Sequence, residues 1–169
     1  MDCKWLPDLI PCTDWTKFDE YEEKIYQIFK GDFIDTHPSF QGTPVKIRYQ
    51  PYHNGREEAF FHITSQEYAH DGERLPDNKR CERIRWVRAF IENHECDDIC
   101  PEPCDGVKVW YEMYRNYRRY HLLLEEENYM VLIEKRQSYT LLITAYYFDH
   151  PHSMRKQLKK YNEFWKARE

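Results

Sequence analysis

Residues 129–147 read YMVLIEKRQSYTLLITAYY. Two apolar runs, 129–135 and 139–147, flank the polar triplet Arg136-Gln137-Ser138. Runs of this length, rich in branched and aromatic residues, are strands. A connection this short forces the two strands to be antiparallel neighbours. Working outward, Glu126-Glu127-Asn128 is a second turn, preceded by a strand over 119–125 with Tyr120, Leu122 and Leu124 on one side. Val107, Val109 and Tyr111 begin a further strand, and the assignment of 113–118 stays open. Downstream, Met154, Leu158, Tyr161 and Trp165 form a helical stripe, with Arg155, Lys156, Lys159 and Lys160 largely outside it. The C-terminal third therefore reads as an antiparallel meander closed by one amphipathic helix. Alternation in its last strand directs Leu141, Ile143 and Ala145 toward that helix. Thr140, Leu142, Thr144 and Tyr146 then share the opposite face, which is either solvated or the floor of a cleft.

The N-terminal half mixes periods. Residues 1–13 read as extended, with Pro7 and Pro11, and Thr13 or Asp14 can cap a helix. Phe18, Tyr21, Ile25, Ile28 and Phe29 continue that helix to about Lys30, with Gly31 as its stop. Val45, Ile47 and Tyr49 alternate with Lys46 and Arg48 as a strand. Asn54-Gly55 is a hairpin signal, and a second strand is expected over 58–64. Residues 65–78 read as a polar loop containing Gly72 and Pro76, and 78–92 as one helix marked by Cys81, Ile84, Val87, Phe90 and Ile91. The fold class is α+β, with N-terminal helices packed on the meander. One domain spans 1–169: residues 1–42 form an N-terminal extension and helix, and 43–169 the α+β core.

Composition bounds the function. The 169 residues are 41% hydrophobic and 33% charged, which is globular rather than disordered. No apolar run approaches the roughly 20 residues that cross a bilayer, and the start lacks a secretory pattern, so a cytoplasmic protein without membrane contact is expected. The net charge of −5 argues against general coating of nucleic acid. It is uneven, however: residues 107–169 carry 12 basic and 8 acidic side chains, against 13 and 22 in the first 106. A basic C-terminal part can hold a local phosphate site, or can simply be a solvated surface. Cys96, Cys100 and Cys104, with His94 just before, form an acidic loop with Pro101 and Pro103. They lack the second, distant pair of a structural zinc site. Free thiols are therefore the expectation, zinc on these four residues the alternative, and no cofactor is expected.

Several side chains suit proton transfer or anion binding. His62 lies in the expected 58–64 strand, either as a proton carrier or as a packed, singly hydrogen-bonded ring. Arg80, Arg83 and Arg88 project into the apolar stripe of the 78–92 helix, with Arg85 at its edge. Such cations need a partner or a route to water, so they either face a cleft or snorkel outward. Arg119 and Arg136 add further phosphate donors, because a guanidinium pairs with phosphate through two hydrogen bonds. Motifs for nucleotide loops, metalloproteases and serine hydrolases do not occur.

The order Phe61-His62-Ile63, then Arg83-Ile84-Arg85-Trp86, resembles phage and mobile-element proteins. Their closing segment is similar to Tyr129-Met130-Val131-Leu132, the run 140–146 and the basic helix with Arg155, Lys156 and Leu158. That group is similar to the barnase–EndoU–colicin–RelE class of ribonucleases and toxins, and the resemblance spans residues 43–165. It implies a helical N-terminal part and an antiparallel sheet of about four strands. It also implies a metal-independent endoribonuclease, often a toxin held in check by an inhibitor or antitoxin protein. By position, the resemblance puts catalysis on His62, Arg83, Thr144 and Tyr146 and also matches Arg136; Arg80, Arg119 and Arg136 are the cations expected to hold RNA. Attack of an RNA 2′-hydroxyl on its own phosphate needs a base, an acid and a cation, which these residue types supply. His62 would shuttle protons, Arg83 hold the phosphate, and Thr144 and Tyr146 position or protonate it. The alternative is a catalytically inactive module of the same fold that binds RNA or protein. The Cys96–Cys104 loop has no counterpart in the resemblance.

Overall fold

The computed structural model describes residues 3–67, 74–97, 100 and 104–169. It is an α+β fold built on a six-stranded mixed sheet, with helices on both faces. Asp14 opens the first helical segment, its carboxylate accepting from the Thr16 amide at 3.0 Å. Helix α1 (Phe18–Lys30) buries Tyr21, Ile25 and Phe29. Gly31 does not stop it: the residue stays right-handed, and a π-helical turn, Gly31–Asp35, carries on and buries Phe33. Strand β1 (Ser39–Phe40) turns back into β2 (Thr43–Lys46).

The expected strand over 58–64 is instead a helix, α2 (Glu58–Thr64). The same residues support both periods. Phe60, His62 and Thr64 alternate as a strand would, yet Phe60, Ile63 and Thr64 also fall on one helical face. Packing decides between the two: Phe60 meets Phe29 at 5.5 Å and Tyr26 edge-on at 5.3 Å, and Phe60 and Ile63 are fully buried. Asn54-Gly55 does form a tight turn, with positive φ at both residues and paired backbone bonds between His53 and Arg56, but it does not join two strands.

Part of the expected 65–78 loop is a two-stranded ribbon, β3 (Ser65–Glu67) with β4 (Arg74–Pro76). Gly72 in that stretch, and Pro101 and Pro103 in the cysteine loop, lie outside the described residues. The expected 78–92 helix is broken. α3 (Asn78–Glu82), capped by Asp77, ends at Arg83 (φ −101°, ψ 21°), and α4 (Trp86–Glu92) starts afresh. The break sends the arginines of one predicted stripe in different directions.

The meander is present as read: β5 (Lys108–Tyr114), β6 (Tyr117–Leu124), β7 (Tyr129–Lys135) and β8 (Thr140–Tyr147), each antiparallel to the next. The open stretch 113–118 is the β5–β6 turn, with Arg115 at positive φ. Two features go beyond the reading. β2 pairs parallel with the start of β8, through Val45–Thr140 and Lys46–Leu141, which makes the sheet mixed. The Thr43 and Thr140 hydroxyls meet at 2.7 Å in that seam.

The second feature is a register shift between Leu132 and Ile133, which leaves Ile143 as an extra residue in β8. An inserted residue flips the facing of everything beyond it. Thr140 and Leu142 therefore keep to one face, while Thr144 and Tyr146 cross to the other. The expectation that these four share a face is overturned.

Each face of the sheet carries its own core. On one, Tyr120, Leu122, Val131, Ile133, Leu142 and Ala145 pack beneath α1, α2 and α4. Full burial of each large side chain contributes about 1.5–3 kcal/mol. On the other, Trp110, Leu123 and Met130 meet Met154 of α5 (Pro151–Lys166). Ala145 thus faces the N-terminal helices, and Tyr146 faces α5, the reverse of the sequence reading. No helix among the described residues is long and apolar enough to cross a membrane.

Candidate functional site

Beyond Leu141 the edge of β8 is no longer paired to β2, and α2 packs there instead. A cleft of about 430 Å³ opens at this junction. It is lined by His62 from α2, by Ile143, Thr144 and Tyr146 from β8, by Arg48, and by Gln66, Glu67, Arg74 and Arg80. Three of the four residues singled out for catalysis, His62, Thr144 and Tyr146, are therefore brought together, with Arg80 beside them. The bulge at Ile143 makes this possible, because it turns Thr144 and Tyr146 out of the main core.

The cleft has two layers. The inner one holds the frame. The Thr144 hydroxyl donates to the His62 carbonyl at 2.9 Å, and Arg80 Nη1 donates to the carbonyls of His62 at 3.2 Å and Ser65 at 2.8 Å. Arg74 binds the Ser65 hydroxyl at 3.1 Å and its carbonyl at 2.6 Å. These donors satisfy carbonyls at the end of α2 that the helix itself leaves open. Asp77 caps α3 through the Arg80 amide and also accepts from the Gln66 side chain. Arg80 is 7% exposed and lies against the Tyr146 ring at 5.2 Å, so much of its guanidinium is spent on structure. Burial pulls Arg74 downward from the usual arginine range, and the nearby Arg80 adds to that pull.

The outer layer holds the groups able to meet a ligand. His62 Nε2 lies 3.0 Å from Glu58 Oε1, one helical turn back, and the ring is about one-third exposed. Nε2 donates to that carboxylate, so Nδ1 is the ring nitrogen left to meet a ligand. Arg48 is exposed, and Tyr146 is half-buried at the cleft wall. Arg48, Glu58 and Arg74 were not singled out in the sequence. The Glu58–His62 spacing of four would have marked a dyad had the segment been read as a helix.

Arg83 does not line this cleft. It caps the end of α3 at the α3–α4 break and lines a separate cavity of about 510 Å³ formed with Trp86, Glu127 and the N-terminal segment. Its guanidinium donates to the Lys79 carbonyl and to Glu82 Oε1 at 2.7 Å, and sits over the Tyr147 and Trp86 rings at 4.4 and 4.9 Å. Arg119 and Arg136 are also elsewhere. Both clamp the fully buried Glu134, each at 2.7 Å through Nε, and lie over the rings of Tyr114 and Tyr117.

Among the described residues no group of three or more His, Cys, Asp or Glu is placed to hold a metal ion. The zinc set His94, Cys96, Cys100 and Cys104 is thus not assembled. Cys96 Sγ accepts from Trp5 Nε1, Cys104 Sγ from the Gly106 amide, and His94 Nδ1 meets the Ile91 carbonyl at 2.8 Å. Compared with protein-family models, curated proteins and solved structures, the chain gives no match.

Proposed function

We propose that the chain is a metal-independent endoribonuclease that works by 2′-hydroxyl attack in the His62 cleft. The observation that carries the reading is the juxtaposition of a carboxylate-held imidazole with Tyr146, Arg48 and Arg74 in one cleft. His62 Nδ1 takes the proton of the 2′-hydroxyl, whose oxygen attacks the adjacent phosphorus. Arg48 balances the charge that grows on the phosphoryl oxygens, and Arg74, two of whose guanidinium nitrogens are held by Ser65, adds its positive charge from behind. The bond to the 5′-oxygen breaks, and the Tyr146 hydroxyl protonates that leaving oxygen. The products are a 2′,3′-cyclic phosphate and a 5′-hydroxyl, and Tyr146 regains its proton from His62 or solvent.

The individual roles differ from those the resemblance implies. Thr144 and Arg80 become positioning residues that hold the end of α2. Arg48 and Arg74 replace Arg83 at the phosphate, and Arg119 and Arg136 serve at most a distant part of an RNA chain. A phage-related or toxin-like effector with a protein inhibitor, acting on RNA in the cytoplasm, belongs to the same reading, since an intracellular nuclease needs restraint.

The test is cleavage of tRNA, mRNA and ribosomes in EDTA by the wild type and by His62→Ala. Cyclic-phosphate ends from the wild type alone support the reading. Intact RNA in every case sinks it, and RNA bound but uncut assigns the inactive binding module instead.

A further inference from the structure

A second cavity of about 430 Å³ lies between the sheet and α5. That volume is in the range of about 300–1,000 Å³ typical of small-molecule sites. Met130 and Leu132 form its floor, Tyr146 and Phe148 one wall. From α5 come His152, Ser153, Lys156, Gln157 and Lys160, and His121 closes the inner end. The cavity adjoins the His62 cleft, because Tyr146 lines both. Thr144 and Tyr146 of the cleft are also the cross-strand partners of Leu132 and Met130 of the cavity.

We propose that this cavity is a nucleobase subsite, which seats the base of a nucleotide next to the phosphate held in the cleft. The inference rests on the ribonuclease reading and names how that site would select its substrate. His121 is 6% exposed, stacked on Trp110 at 4.6 Å, and its Nδ1 is buried without a hydrogen-bond partner. Gln157 Oε1 is likewise buried and unpartnered. A buried polar atom left unpaired is costly to the folded chain. His121 on the sheet and Gln157 on α5 both line this cavity, so the two atoms together are an address for a ligand with matching donors and acceptors. An apolar floor, an aromatic wall and a polar inner edge suit a flat heteroaromatic ring.

Charge is arranged in the same sense. Burial lowers His121 to about 4, with Glu112 and nearby backbone groups pulling the other way, so the ring is neutral at pH 7. A neutral imidazole carries one donor and one acceptor, which reads a base edge rather than a phosphate. Cations stand at the rim instead. Lys156 is exposed, and Lys160 is held 3.1 Å from Glu112.

The test titrates the full chain with the four nucleoside 3′-monophosphates, with the nucleosides, and with inorganic phosphate. Imidazole and side-chain amide NMR signals of His121 and Gln157 are the readout. At least one nucleotide is expected to shift both signals saturably, with inorganic phosphate leaving them in place. Gln157→Leu is expected to weaken that nucleotide at least fivefold and to change the base preference at the cleaved junction. Lys156→Ala is expected to weaken the nucleotide but not its nucleoside.

Absence of nucleotide-induced shifts, or equal shifts with phosphate alone, overturns the subsite. An unchanged base preference in Gln157→Leu, with thermal stability retained, does so too. The two readings fail separately. Nucleotide seated in the cavity without RNA cleavage keeps the subsite and removes the nuclease. Cleavage with a silent cavity does the reverse.

Discussion

The Thr144 hydroxyl donates to the carbonyl oxygen of His62 at 2.9 Å, tying the bulged half of β8 to the last turn of α2. The bond spans 82 residues and joins the two elements whose mutual placement creates the cleft. It also fixes the backbone that carries the imidazole.

Thr144→Val removes that donor while keeping shape. Arg80 still serves the same carbonyl, so the stability loss is expected at about 1 kcal/mol. If His62 is the base proposed, cleavage is expected to fall about tenfold, because a small displacement of its ring is costly. Thr144→Ser restores both. Urea unfolding and initial cleavage rates check this; a valine variant with full activity would remove the positioning role.

His62→Ala is expected to lower the cleavage rate by about 10²–10⁴, the usual contribution of a general base, with an unchanged circular dichroism spectrum. Glu58→Gln keeps a hydrogen-bond partner but loses the charge, so its loss is expected to be smaller. If Glu58→Gln proves as damaging as His62→Ala, the carboxylate is more than an orienting group.

Asp32 sits near Arg88 and Glu92, and burial raises its carboxyl to about 6, with Arg88 opposing. Between the unfolded value of about 3.9 and 6, the native state holds more protons than the unfolded chain. Stability from this group therefore falls as pH rises through that window. Asp32→Asn is expected to add about 1–2 kcal/mol at pH 7.5, after allowance for solvent screening. It is expected to add little at pH 4. His121 acts oppositely: its lowered value means that stability is lost as pH falls from about 6.5 to 4. Denaturant melts across pH 4–8 of wild type and Asp32→Asn separate the two contributions.

Glu134 is fully buried and clamped by Arg119 and Arg136. Glu134→Gln leaves two guanidinium groups without their counter-charge. Both reach water in part, so the cost is expected near the low end for a broken buried pair, about 3 kcal/mol. Since this cluster does not line the cleft, cleavage below the melting temperature is expected to stay within about twofold of wild type. A large rate loss in a folded variant would put Arg119 and Arg136 back among the RNA contacts.

Much of the architecture was legible in the residues. Repeated strand-length apolar runs divided by short polar turns admit one solution, a meander, and the 154–165 stripe admits one helix. What misled was local ambiguity. The segment 58–64 satisfies both strand and helix periods, and the 78–92 stripe is continuous in sequence although the helix is interrupted at residues 83–85. His62, Thr144 and Tyr146 were marked by residue type and by resemblance, and Arg80 by its place in the helical stripe. Arg48, Glu58 and Arg74 carried no signal of their own, because each acquires a role only from what stands opposite.

The sequence by itself determined the α+β class, the order β5 to β8 and the closing helix, since period and turn length are local properties. Tertiary structure alone decided which way the site faces. One extra residue at Ile143 reverses the direction of Thr144 and Tyr146, and α2 takes its place only by packing Phe60 on α1 and the end of its last turn on β8. Strand pairing and helix packing are long-range, so no run of residues announces them.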